Sequence, residues 1–207
     1  MLGWATLGLA ASAAVTEVRA TLRERAAIAA YPPEGVITEV AGRRVHSVTR
    51  GQGPDLILIH GASGSTRDMT FGLLPRLVER YRVTAFDRPG LGFTDRTRPE
   101  LDSLLSREGE SPREQADLLR AAAEQLGITR PIVLGHSLGG AVALAWALGD
   151  PAGTAAVVDV AGVALPWPGS LDLLYRINGS TFGGAALPPL ITAFASQGAI
   201  DAALNAI

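Results

Sequence analysis

Gly135-His136-Ser137-Leu138-Gly139 sets a hydroxyl between glycines placed two positions to either side, which makes Ser137 the candidate nucleophile of this chain. The pentapeptide follows a short apolar run, Pro131 to Gly135, and precedes an Ala-rich helical stretch, Leu138 to Leu148. A strand passing directly into a helix needs a turn sharp enough to strain its central residue. Gly135 and Gly139 let the backbones close up there without side-chain clash. Such a turn lifts the central hydroxyl above the sheet edge. The first N–H groups of the following helix then face the negative charge that develops during acyl transfer. The same letters also fit a plain structural turn, and the strand–turn–helix setting is what favours the nucleophile.

A second constellation is His60-Gly61-Ala62-Ser63-Gly64-Ser65, directly after Leu56-Ile57-Leu58-Ile59. It reads as a tight turn with a hydrogen-bonded imidazole, and such a turn also suits a loop that presents backbone donors.

These motifs need a frame. Val36 to Ala41 and Val45 to Thr49 flank Gly42-Arg43 as a short antiparallel hairpin. Leu56 to Ile59 is a continuous apolar run, expected of a strand buried on both faces of a parallel sheet. Thr66 to Tyr81 suits a helix with Leu73, Leu74, Leu77 and Val78 on one face and Pro75 as a distortion. Arg82 to Phe86 reads as a second buried strand, followed by the turn Asp87-Arg88-Pro89-Gly90-Leu91-Gly92. Arg96 to Gly109 lacks a period and reads as an irregular surface loop. Ser111-Pro112-Arg113-Glu114 opens a helix through a capping box, and Gly127 closes it. Ala155 to Val160 is expected to be a fourth buried strand. Strands alternating with helices imply an α/β fold with a mostly parallel sheet.

The motifs resemble those of the α/β-hydrolase superfamily, in its serine-nucleophile branch. His-Gly after one strand, Asp-Arg-Pro-Gly-x-Gly after the next and Gly-His-Ser-x-Gly after the third recur there in that order, over about Val36 to Pro166 of this chain. The resemblance implies an α/β-hydrolase fold with helices on both faces of the sheet and a helical lid. It implies Ser137 as nucleophile and the backbone N–H groups of Ala62 and Leu138 as the oxyanion hole. Gly61, Gly135 and Gly139 would support the elbow and the turn. Relatives that open epoxides or dehalogenate carry an aspartate where Ser137 stands. An ester or related acyl bond in a small-molecule substrate is therefore the expected target, with no cofactor and no metal.

The family's acid and histidine follow the nucleophile in chain order, and here the pattern departs. The three histidines, His46, His60 and His136, all precede Ser137. His46 sits in the hairpin as a surface or satisfied side chain, His60 is taken by its turn, and His136 should point away from Ser137. Among the acids, Asp87 is expected to cap its own turn, Asp150 belongs to a turn, Asp159 lies inside a strand, and Asp172 and Asp201 fall in the lid-like region. Neither the triad histidine nor the acid is expected in this chain. Ending soon after Ala155 to Val160 would also leave that strand as an apolar, unpaired edge. The expectation is a fragment, inactive alone, of a longer serine hydrolase. The alternative is a truncated or binding protein that keeps a hydrolase-like fold without catalysis.

Composition bounds the rest. A chain of 207 residues, 47% hydrophobic and 18% charged, can bury a core, and a formal net charge of -2 gives no reason to expect nucleic acid as a partner. Without cysteine there is no disulfide framework or thiolate site. Met1 to Val15 carries no charged residue but is shorter than the roughly 20 apolar residues of a membrane span. It fits a signal or anchor, an amphipathic helix packed on the domain, or a short interfacial anchor; a membrane-associated or exported segment is favoured. The expected organisation is a helical segment 1–30 ended by Tyr31-Pro32-Pro33, a core 31–164, and the start of a lid at 165–207. In that last part Pro166, Trp167 and Pro168 lead into Ser170 to Asn178, and a Gly-rich bend precedes Leu190 to Ile207.

Overall fold

The computed structural model describes residues 2–102, 108–165, 169, 173–178, 180–196, 198, 199 and 202. In chain order the elements are α1 (Leu2–Ala30), β1 (Val36–Val40), β2 (Arg43–Arg50), β3 (Asp55–Ile59), α2 (Thr66–Gly72), α3 (Leu74–Leu77) and β4 (Arg82–Phe86). A 3-10 turn (Pro99–Asp102) follows, then α4 (Pro112–Gln125), β5 (Ile132–His136), α5 (Leu138–Gly149), β6 (Ala156–Val160), α6 (Leu173–Asn178) and α7 (Thr181–Phe194). They group into two compact units, Pro33–Gly169 and the pair of segments Met1–Pro32 and Ser170–Ile207.

The first unit holds a six-stranded sheet in the order β1-β2-β4-β3-β5-β6. β2 runs antiparallel to β1 and to β4, while β4, β3, β5 and β6 are mutually parallel. The hairpin turns on Ala41 and Gly42, both left-handed at φ 49° and 76°. That two-residue turn has the twist strands prefer. It lies one residue earlier than Gly42-Arg43, because Arg43 already pairs with Val40. Alternation along β3 splits the core in two. Ile57 and Ile59 join Phe86, Val133, Leu119 of α4 and Trp146 of α5 on one face. Leu56 and Leu58 join Val83, Ala85, Met69 and Leu74 on the other. Burial of each large apolar side chain contributes about 1.5–3 kcal/mol. Helices therefore cover both faces, and β3 and β5 end side by side at one edge of the sheet.

Four expectations change. β6 is exposed, with Val158 at 40% and Val160 at 43%, because among the described residues it pairs only with β5. The helix over 66–81 breaks at Leu73 into α2 and α3, since Pro75 has no N–H to continue it. Within 96–109, Pro99–Asp102 forms a 3-10 turn that buries Leu101, whereas 103–107 lie outside the described residues. The Gly-rich bend is helical: Ser180 caps α7 by accepting the Gly183 N–H at 3.0 Å, and α7 runs through Pro188 and Pro189.

In the second unit α1 is one unbroken helix of 29 residues. Arg19 and Arg23 donate to the Ala193 carbonyl in the last turn of α7, at 3.5 and 3.3 Å, where positive charge complements the helix dipole. The Arg19 guanidinium also lies 4.8 Å from the centre of the Phe194 ring, and Ala20 and Ala193 are buried. Val15, Val18 and Leu22 stay exposed along one side of α1. Among the described residues no helix is long and apolar enough to cross a membrane. Pro166, Trp167, Pro168, Asp172 and Asp201 lie outside the described residues.

Candidate active site

β5 delivers its chain to the sheet edge and α5 starts one residue later, so Ser137 must reverse the backbone alone. It does so at φ 52° and ψ −121°, a conformation costing a residue with a side chain about 1–3 kcal/mol. Three hydrogen bonds hold it there. The Ser137 N–H donates to the Val160 carbonyl at 2.9 Å, and the Ser137 carbonyl accepts from Gly140 N–H at 2.9 Å and Val163 N–H at 3.3 Å. Close approach explains the flanking glycines. A Cβ on Gly135 would stand 2.1 Å from the Gly139 carbonyl oxygen, and one on Gly139 would stand 2.3 Å from the Ile59 oxygen.

The loop after β3 lies against this elbow: a Cβ on Gly61 would stand 3.2 Å from both Ser137 Cβ and His136 Nδ1. His60 and Arg88 fix its shape. Arg88 N–H donates to His60 Nε2 at 2.9 Å, which places the ring proton on Nδ1, and Nδ1 donates to the Gly61 carbonyl at 2.9 Å. Arg88 Nη1 donates to the same carbonyl at 3.0 Å, and its Nε donates to Gln115 Oε1 at 3.0 Å. Burial, opposed by the Gly61 bond and aided by the Arg88 charge, depresses the His60 pKa. His60 is therefore a neutral ring with both nitrogens engaged. Among the described residues, neither the Ala62 N–H nor the Leu138 N–H has an acceptor. Both lie one residue from the Gly61–Ser137 contact.

None of the three histidines bonds the Ser137 hydroxyl. His136 is exposed beside it. His46 is buried, so the surface reading is corrected. Its Nδ1 donates to Asp87 Oδ2 at 2.7 Å and its Nε2 donates to the Glu34 carbonyl. Asp87 does more than cap its own turn. Besides His46 it accepts Thr66 N–H at 2.6 Å and Phe93 N–H at 3.0 Å, tying the hairpin, α2 and the turn after β4 together. Burial pulls the His46 pKa down, but the bonds to Asp87 and Glu34 outweigh it, so His46 is raised. Burial pushes Asp87 up, but His46 and the two N–H donors outweigh it, so Asp87 is lowered. With an acceptor at each ring nitrogen, His46 is an imidazolium paired to a carboxylate.

Asp159 is exposed on β6, opposite Gly135. Asp150 accepts Gly153 N–H at 2.9 Å within its turn. Among the described residues no three His, Asp or Glu gather as a ligand cluster. Sequence reasoning missed Arg88. The sequence places it in the turn from Asp87 to Gly92, and the one local signal is a cation two residues past the end of a buried strand.

The family model for the alpha/beta hydrolase fold matches residues 54–186. The chain is 36% identical over 153 residues to the magnesium-chelatase 30 kDa subunit of Rhodobacter capsulatus, covering 70% of this chain and 48% of that protein. It is 35% identical over 127 residues to the pimeloyl-[acyl-carrier protein] methyl ester esterase of Aeromonas hydrophila, covering 58% of this chain and 44% of that one. Among solved structures, the epoxide hydrolase CorEH superposes with a TM-score of 0.55 at 26% identity, over 67% of this chain and 46% of the other. The chain thus spans about half the length of the curated relatives it matches. Strand order, a strained serine between β5 and α5, and the match over 54–186 agree: the chain belongs to the α/β-hydrolase family.

Proposed function

We propose that Ser137 is the nucleophile of a serine hydrolase that cleaves an ester or related acyl bond. The observation that carries this is its strained backbone at the strand–helix junction, with the Ala62 and Leu138 N–H groups having no acceptor among the described residues. Ser137 Oγ attacks the acyl carbonyl and gives its proton to a histidine base. The Ala62 and Leu138 N–H groups hold the oxyanion, each worth about 3 kcal/mol. Collapse expels the alcohol, which receives that proton from the histidine; the same base then deprotonates a water that attacks the acyl-enzyme, releases the acid and restores the serine hydroxyl. The base and its orienting acid are supplied by residues other than those of this chain, which alone would turn over near background, since losing the base costs about six orders of magnitude. Similarity to a protein named a methyl ester esterase supports the acyl bond. A serine at position 137 also favours it over epoxide opening.

In the protein expressed from its natural reading frame, Ser137→Ala is expected to abolish both fluorophosphonate labelling and hydrolysis of p-nitrophenyl esters of graded chain length. Unchanged turnover would overturn the assignment. A second reading, a protein that keeps the fold without ester hydrolysis, draws on the similarity to a chelatase subunit, and absence of labelling in the unsubstituted protein would favour it. We further propose that the segment from 1 to 30 associates with a membrane surface. Exposed Val15, Val18 and Leu22, spaced to share one side of α1, support that reading.

A further inference from the structure

Arg88 is anomalous on physical grounds. It is 4% exposed, yet among the described residues its guanidinium meets no carboxylate within ion-pair distance; the charge of Glu110 acts on it only from beyond that reach. Its hydrogen-bond partners are the neutral Gln115 amide oxygen and the neutral Gly61 carbonyl. A buried cation without a direct ion pair is costly, and apolar residues often replace such groups at no loss of stability. What it touches is specific. The Gly61 carbonyl and the Ala62 N–H belong to one planar peptide group, so a donor on that oxygen fixes the direction of that N–H. Hydrogen bonds in series also polarise one another, and a cationic donor polarises most. The Gly61 oxygen receives His60 Nδ1–H, Arg88 Nη1–H and a longer bond from Gly64 N–H at 3.4 Å.

We infer that Arg88, seated on Gln115 and backed by His60, is a positioning residue that orients and polarises the Gly61–Ala62 peptide, so that Ala62 N–H is a stronger oxyanion donor. The inference rests on Ser137 as nucleophile and Ala62 as donor. Arg88 touches neither substrate nor serine. It acts through one peptide unit, adding positive potential where the carbonyl oxygen gains charge. Because that charge exists only in the transition state, the effect belongs to kcat rather than to substrate binding.

The test uses the protein expressed from its natural reading frame, with sites counted by fluorophosphonate titration. In that titration Ser137 Oγ displaces fluoride from phosphorus, and the base takes the serine proton. Per titrated site, Arg88→Gln is expected to lower kcat on a p-nitrophenyl ester about tenfold or more while KM stays within about twofold. Arg88→Lys keeps the cation and one donor and is expected to recover most of the rate. If Arg88→Gln does not fold, Gln115→Leu frees the guanidinium from its seat without touching the loop, with kcat expected to fall about threefold at constant KM. A kcat per site that is unchanged in the folded variant, or a lysine variant no better than the glutamine, overturns the inference. Full turnover by Ser137→Ala instead overturns the nucleophile assignment on which it stands.

Discussion

Replacing His46 by leucine tests the buried ion pair directly. The His46 and Asp87 side chains are 2% and 1% exposed, so the substitution strands a carboxylate inside the protein. Breaking such a pair costs about 3–5 kcal/mol. Asp87 keeps the Thr66 and Phe93 N–H donors, which puts the loss near the lower end, about 3 kcal/mol. For a unit of roughly 140 residues the unfolding entropy is about 0.3 kcal/mol per kelvin, so the melting temperature should fall by about 10 °C. The pH dependence is more diagnostic. His46 is raised above 6.5, so its contribution is complete below that value and fades as pH climbs through the folded pKa. Asp87 is depressed below 3.8, so its contribution is complete above that value and fades as pH drops through the folded pKa. The gap between parent and variant should thus be widest between about pH 4 and 6.5 and narrow towards alkaline pH. Urea unfolding followed by circular dichroism from pH 3.5 to 9 measures it. A gap that is constant above pH 6.5 would refute the imidazolium assignment, and a loss below 1 kcal/mol would refute the buried pair.

Gly139→Ala forces a methyl group to within 2.3 Å of the Ile59 oxygen, so β3 or the start of α5 must shift. Overpacking of this kind costs about 1–3 kcal/mol, and both a lower melting temperature and slower fluorophosphonate labelling of Ser137 are expected by differential scanning fluorimetry and intact-mass kinetics. Deleting residues 1–30 should move the protein from the membrane pellet to the soluble fraction on cell fractionation. Wholly soluble parent protein would refute membrane association.

Much of the sheet could be read in advance because apolar runs such as Leu56 to Ile59 and the strand-to-helix step at Ser137 are local signals. Exposure of β6 could not be read that way. Val157, Val158 and Val160 spell the same apolar run whether a strand has one neighbour or two, and only the sheet order decides. The His46–Asp87 pair joins residues 41 apart with no periodic pattern between them, so nothing local signals it. In α7 the glycines and prolines argue against a helix, yet capping by Ser180 and packing against α1 outweigh propensity. At the candidate site the motif located Ser137, Gly135 and Gly139. Arg88 needed the fold, because its contact with Gly61 exists only once β3 and β4 lie side by side.

Two of the three bonds that hold Ser137 in its unfavourable conformation come from Val160 and Val163, which follow α5 in the chain. Synthesis proceeds from the N-terminus, and β5 and β6 lie outward from β3 in the order in which they are made. A nascent chain that has emerged only through α5 can already pair β5 with β3, but of the three bonds on Ser137 only that from Gly140 N–H is available to it. The full set of bonds on the Ser137 backbone is therefore complete only when β6 has docked, not when its own strand forms.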